Sequence, residues 1–411
     1  MKKTILSLKE AQRAIDESLV PNGAELVELH DALGRVAASP QYALHALPSY
    51  SQALYDGVVI ARMPKKRKGK RYSYSLEGEI AAGDIISRKC LSGQAYRIMT
   101  GAPIPEGGYS LVPQEKITIS ENRVFVDEED AKTAGAYIRK KGGDCRIGTR
   151  IVKAGDCLTP ADIGMLADTG YDDIQVRKKP VVAYCCTGSE LVGHSADSGN
   201  GLKVSSNRYR LGGMIRICGG DVQDWGSVDD NRRSFEGRLA RMQKQEPECI
   251  ITTGGMGPGK YDLVQEVFST MGGRVVFTGV ELRPGKSVLF GVLGSSLFFG
   301  LPGPPSAVKA VFQVLVRPML QRMLGIETPV QTRAVLTHDF SSRNSNMPRL
   351  LEGVLSHRAK GILVRLARKN ERTNCYILCP PGKWQMRKGA SVTIYSEEPP
   401  RWLAQGNYQI F

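Results

Sequence analysis

The stretch Glu248-Cys249-Ile250-Ile251-Thr252-Thr253-Gly254-Gly255-Met256-Gly257-Pro258-Gly259-Lys260-Tyr261-Asp262 passes from a compact apolar run into a glycine-rich loop and then into a helical pattern. An apolar run of this kind bounded by turn residues reads as a strand buried on both faces. The flanking sequence repeats the theme. Val181-Val182-Ala183-Tyr184-Cys185-Cys186 is a second buried-type strand, a helical segment follows Asn207, and residues 221–228 read as a further strand. Asp229 or Asp230 is expected to cap a helix reaching Gln245, and another helix begins near Asp262. Strands at 274–277 and 297–300 and a helix over 305–324 complete the unit. Strands alternating with helices at this spacing predict a mainly parallel sheet covered on both faces.

The texture differs on either side. Ser7-Leu8-Lys9-Glu10 is a capping-box pattern, with Ala11, Ile15 and Leu19 on one helical face and Pro21-Asn22-Gly23 as the stop. From about 44 to 151 the chain shows short β-like runs broken by glycine and proline, among them Ser110-Leu111-Val112 and Arg123-Val124-Phe125-Val126. After Gln331 short strands and turns return, and a separate small β domain is the simplest account.

Composition narrows the class. A chain of 411 residues with 41% apolar and 24% charged residues is globular, and its length suggests roughly two to four domains. No stretch has the apolar length of a membrane helix, and Met1-Lys2-Lys3-Thr4-Ile5-Leu6 leads into a charged helical pattern rather than an apolar signal core, so a cytoplasmic protein is expected. The nine cysteines are scattered, which predicts reduced thiols; Cys375 and Cys379 read as buried strand thiols in preference to a zinc site. A net charge of +15 points to an acidic partner. Part of that charge is local, in Arg62, Lys65, Lys66, Arg67, Lys68, Lys70 and Arg71, which read as a solvated loop. Only Tyr72 and Tyr74 follow this run, so a nucleic-acid partner is disfavoured.

Ligands of open parallel sheets bind beyond the carboxyl ends of the strands. Three loops there are unusual: Thr187-Gly188-Ser189-Glu190, the run from Thr253 to Asp262 with Gly254, Gly255 and Gly257, and Gly300-Leu301-Pro302-Gly303-Pro304-Pro305. The second lets backbone N–H groups approach an anion but lacks P-loop or dinucleotide spacing. Asp262 reads either as a helix cap or as a Mg²⁺ ligand beside a phosphate. Between these loops Arg283-Pro284-Gly285-Lys286-Ser287 offers two cations around a turn, suited to a phosphate or another oxyanion.

Together these segments resemble the MoeA family, the molybdopterin molybdenumtransferases that include the E domain of gephyrin. Arg97-Ile98-Met99-Thr100-Gly101-Ala102-Pro103-Ile104-Pro105-Glu106-Gly107 is similar to a family segment nearly residue for residue, and Arg139 with Lys141-Gly142-Gly143-Asp144 is similar to its arginine-rich turn. The resemblance covers roughly the whole chain. It implies an α/β and β multidomain protein: a helical linking domain (1–43 with 145–177), an inserted β-rich domain (44–144), a central three-layer MogA/MoaB-like α/β domain (178–328) and a C-terminal β-barrel-like domain (329–411). It also implies a homodimer in which Asp56, Thr100 and Asp144 of one subunit face Glu190, Asp229, Asp262 and Lys286 of the other.

The activity implied is hydrolysis of the adenylate of molybdopterin with Mg²⁺ present and insertion of molybdate at the dithiolene, a step in molybdenum cofactor biosynthesis. Its implied partners are a MogA-like adenylyltransferase and recipient molybdoenzymes. Glu190 and Asp262 would recruit Mg²⁺. Arg283, Gly285, Lys286, Pro302, Gly303 and Pro305, with Thr187, Gly188 and the glycines of the second loop, would hold the pterin and its phosphates. The sequence departs from the family pattern at Ser51-Gln52-Ala53-Leu54-Tyr55, at Ser189, at Ser205-Ser206, at Arg283 and Ser287, and at Pro304. In the C-terminal region Met347 stands where the family places an arginine, with Arg349 close by. A catalytically weak molybdopterin-binding carrier or sensor is the alternative these departures raise.

Overall fold

Ser7 opens helix α1 (Leu8–Asp16) with both halves of the capping box: its hydroxyl accepts from the Glu10 N–H at 3.3 Å, and Glu10 accepts from the Ser7 N–H at 2.9 Å. Two orphan donors of the first turn are thereby satisfied. Ala11 and Ile15 are buried against the central α/β core. The computed structural model describes residues 4–397 apart from 63–70, 86–87, 134, 136, 194–198, 257–262, 327–330, 343–344, 359–360 and 383. Most of the basic run, together with Gly257 and Asp262, lies outside the described residues.

The inserted region forms one six-stranded sheet from β1 (Gly57–Ile60), β2 (Arg71–Ile80), β3 (Gln94–Ile98), β4 (Ser110–Pro113), β5 (Ile117–Ser120) and β6 (Arg123–Asp127), in the order β4-β1-β3-β2-β6-β5. Alternate residues serve its two faces: Val59, Ile98 and Leu111 pack into one core, while Val58, Tyr74 and Val124 pack into another. Helix α2 (Pro160–Asp168), also opened by a capping box at Thr159, packs beside an antiparallel ribbon of Ala24–Glu28 and Asp173–Arg177.

The central sheet carries the site. Its elements are β7 (Val181–Thr187), β8 (Leu191–Val192), β9 (Lys203–Val204), α3 (Ser206–Ile217), β10 (Asp221–Val228), α4 (Arg232–Gln243), β11 (Cys249–Thr253), α5 (Leu263–Thr270), β12 (Arg274–Phe277), β13 (Leu289–Leu293) and β14 (Ser296–Leu301). Strand order is β10-β7-β11-β14-β13-β12, with the first four mutually parallel and β13 antiparallel to both its neighbours, β14 and β12. Val182, Tyr184, Ile251 and Phe299 face one helical layer, and Ala183, Cys185, Ile250 and Phe298 face the other. The three-layer expectation is met by period-two alternation inside runs whose every residue is buried.

Two local expectations need correction. Helix α4 is capped by Asn231, whose side chain accepts from the Ser234 N–H at 3.2 Å, so Asp229 and Asp230 stay in the loop that ends β10. The helix expected over 305–324 is three pieces: α6 (Pro305–Val311), a fully buried π-helical turn (Phe312–Val316) and α7 (Arg317–Met323). The π turn sets carbonyls out of register, and Gln12 donates to the Val314 carbonyl at 2.9 Å.

The C-terminal region closes a barrel from β15 (Gln331–Leu336), β16 (Arg349–Arg358), β17 (Gly361–Leu366), β18 (Cys375–Cys379) and β19 (Ser391–Ser396), in the order β15-β17-β16-β18-β19. Cys375 and Cys379 are buried on β18, and all nine cysteines are free. The barrel is pinned to the α/β core by polar contacts. Lys309 of α6 donates to the Thr373 hydroxyl at 2.6 Å and pairs with Glu397 at 2.9 Å, and Arg317 donates to the Ser396 carbonyl at 2.6 Å.

Candidate functional site

The carboxyl ends of β7, β11 and β14 release three loops at one edge of the sheet, and the turn before β13 reaches the same edge. They surround a cleft of about 950 Å³, within the range of small-molecule sites. Thr187, Gly188 and Glu190 contribute from the first loop, Gly254 and Gly255 from the second, and Pro302, Gly303 and Pro305 from the third. Gly285 and Lys286 enter from the turn before β13.

Close backbone packing explains why two of these positions are glycine. Gly254 has φ 94°, and a Cβ there would lie 2.4 Å from the Thr187 carbonyl oxygen, so the first two loops touch only because no side chain intervenes. Gly285 has φ 108°, and its Cβ would meet Val311 of α6 at 2.3 Å. The loops are also laced by hydrogen bonds: Gly254 N–H donates to Leu301 at 3.1 Å, Gly188 N–H to Val228 at 3.1 Å, and the Asn207 side chain to Gly303 at 2.8 Å. The other side-chain atom of Asn207, its buried Oδ1, has no hydrogen-bond partner among the described residues.

The cleft is charged in both senses. Glu190 lies 3.1 Å from Lys203, and its carboxyl is held below the usual carboxylate range by a hydrogen bond from its own backbone N–H and then by Lys203. Asp230 is the other acid of the lining, its N–H anchored to the Ser189 hydroxyl at 3.1 Å, while Lys286 is exposed at the opposite loop. Ser189, a departure from the family pattern, thus positions Asp230 instead of adding a carboxylate. Neither Lys203 nor the role of Asp230 was legible in the sequence. Lys203 sits in a two-residue strand that no periodicity marks, and in the sequence Asp230 is one of two candidate helix caps.

The other expected site residues lie elsewhere. Asp229 is exposed outside the lining. Arg283 also stays out of it: its N–H donates to Pro348 at 3.0 Å and its carbonyl accepts from Leu350 at 2.7 Å, which places it beside Arg349 on the barrel seam. Beside the inserted sheet Asp56 accepts from the Thr100 N–H and hydroxyl, each at 2.7 Å, and the backbone bond, the larger influence, helps hold its carboxyl low. Asp144 is paired with Arg139. These residues do not reach the cleft of their own chain.

Fold and site define a multidomain α/β protein with a ligand cleft suited to anions at the carboxyl edge of its sheet. Residues 6–170 match the family model "MoeA N-terminal region (domain I and II)", and residues 183–322 match "Probable molybdopterin binding domain". The chain belongs to the MoeA family. It is 29% identical over 408 residues to the molybdopterin molybdenumtransferase of Bacillus subtilis, covering 96% of this chain and 94% of that protein. It is also 29% identical to the protein of the same name from a Nostoc species, covering 90% and 88%. A molybdopterin biosynthesis MoeA structure from Pyrococcus horikoshii superposes with a TM-score of 0.83 at 24% identity, covering 96% of this chain and 99% of that one, and supports the fold.

Proposed function

We propose that the chain is a molybdopterin molybdenumtransferase that inserts molybdate into adenylated molybdopterin and releases AMP. The observation that carries this reading is the cleft of about 950 Å³, built by four loops at the sheet edge of a chain of this family. Glycine loops and Lys286 hold the pterin phosphate and the adenylate, and the buried Asn207 Oδ1 accepts from a pterin N–H. The dithiolene of the substrate is the ligand for molybdenum, and no cysteine or histidine is among the described lining residues.

Mg²⁺ fits the donor set as an ion shared with substrate. Glu190 supplies one ionised, partly exposed carboxylate, and among the described residues no group of three or more metal-ligating side chains is gathered. Phosphate oxygens and water would complete its ligands, with Asp262 a further candidate outside the described residues. Held there, Mg²⁺ would supply positive charge against the leaving phosphate. Glu190 holds its carboxylate at the cleft edge through its own N–H, Asp230 orients attacking water, and Lys286 keeps the phosphate in place. A homodimer in the cytosol brings Asp56, Thr100 and Asp144 of one subunit to the cleft of the other. Among the described residues no helix is long and apolar enough to cross a membrane.

Purified protein incubated with adenylated molybdopterin, Mg²⁺ and molybdate is expected to release AMP and to reconstitute an apo-molybdoenzyme. Both activities should be lost in Lys286→Ala. Tight pterin binding with neither activity would leave a carrier on a transferase fold.

A further inference from the structure

Two acids, Glu190 and Asp230, and two bases, Lys203 and Lys286, line the cleft. Among the described residues one ion pair joins them, Lys203 to Glu190 at 3.1 Å. The pairing is built into the backbone. Strands β8 and β9 run parallel with Leu191 opposite Lys203, and the Lys203 N–H donates to the Glu190 carbonyl at 2.8 Å. The ammonium is therefore tethered to the residue whose charge it balances. Both side chains stay open to the cleft, Glu190 42% and Lys203 67% exposed. Partly exposed pairs contribute little to stability, so the fold does not depend on this contact and the ammonium is free to change partner.

A divalent ion and an ammonium compete for the same carboxylate oxygens. Lysine carries a compact charge on a flexible four-carbon stem, which lets it exchange a carboxylate for a phosphate without moving the backbone. We infer that Lys203 is a switching counter-ion: it neutralises Glu190 in the empty cleft and passes to the phosphate of the ligand when that arrives, leaving Glu190 to the divalent ion. This inference rests on the proposed phosphate-binding cleft. Its consequence is positive coupling, because each ligand removes the group that opposes the other. The empty cleft then holds Mg²⁺ weakly, and the ion enters with the phosphate.

The experiment measures Mn²⁺ binding by electron paramagnetic resonance, with Mn²⁺ as an oxygen-seeking stand-in for Mg²⁺, with and without AMP. In the wild-type protein AMP should tighten Mn²⁺ binding. Lys203→Met should bind Mn²⁺ roughly tenfold more tightly without AMP, as expected when a unit positive charge leaves a partly exposed site, and the gain from AMP should shrink. Lys203→Arg should behave as wild type, and Glu190→Gln should remove the Mn²⁺ site in every background. Unchanged or weaker Mn²⁺ binding in Lys203→Met would overturn the inference, as would a wild-type site that takes no Mn²⁺ with AMP present. Lys203→Gln gives a second neutral variant, and equal melting temperatures exclude a folding defect. Failure of the wild-type protein to bind AMP at all would instead count against the proposed function, while the Mn²⁺ comparison without AMP still decides the role of Lys203.

Discussion

The α/β cleft and the inserted sheet hold two groups of polar residues under different constraints. Around the cleft, Thr187, Glu190, Gly254 and Lys286 meet because parallel strands deliver their loops to one edge, and Lys286 has no ion-pair partner among the described residues. Beside the inserted sheet, Asp56 is fixed by two hydrogen bonds from Thr100 and Asp144 by Arg139. The first group lines a cleft; the second is satisfied within its own surface. Exposed Leu54 and the edge-to-face pair Tyr55 and Tyr137, 5.1 Å apart, flank Asp56, and an apolar rim beside preset acids fits the proposed subunit contact. Topology alone assembles the cleft, and in the proposed homodimer the acids of the inserted region complete it from the second chain.

The largest expected effect breaks the cleft side. Gly254→Ala forces a Cβ against the Thr187 carbonyl at a φ that ordinary residues avoid. A cost of about 3 kcal/mol is expected from the strained backbone and the clash together. Denaturant unfolding should report the lost stability and equilibrium dialysis should show lost AMP binding. A variant with wild-type stability and binding would mean that the two loops are not pressed together.

The second prediction tests the division between subunits. Asp56→Ala and Glu190→Ala should each lose AMP release by roughly tenfold or more, as expected when a charged hydrogen-bonding group is removed. Unfolded together and refolded as a mixture, they should recover about one quarter of wild-type sites, because only heterodimers contain one undamaged site. No recovery would place both residues in one chain's site and remove the reason for a shared cleft.

How much was legible follows the same division. The buried strands announce themselves because every position of 181–187 and 249–253 must be apolar or small between two helical layers, and the loops after them follow from the sheet rule. Strand β13 escaped notice because its five residues lie between the turn at Gly285 and the reversal at Gly294, with Gly291 in their midst. Asp229 and Asp230 are indistinguishable as sequence; Asn231 takes the cap from both, and the bond from the Asp230 N–H to Ser189 holds Asp230 at the cleft. Arg283 sits beside a promising glycine, yet its backbone is used by the barrel. Contacts between chain segments far apart in sequence leave no local pattern to read.

The smallest expected effect lies on the seam that joins the cleft helix to the barrel. Pro305 and Ala307 of α6 line the cleft, and Lys309 on the same helix pairs with Glu397. Burial raises the Glu397 carboxyl above its usual value, Glu352 adds to the rise, and Lys309 and Arg317 oppose it. With the folded value above the unfolded one, the folded state holds the proton more tightly. The contribution is full below the unfolded value and is lost as pH rises through the folded one. Glu397→Gln removes this contribution, so the stability difference between wild type and variant should drift against the wild type as pH rises from 4.5. Parallel unfolding curves at each pH would show that Lys309 offsets the burial fully, and the seam would then transmit no protonation to the helix that borders the cleft.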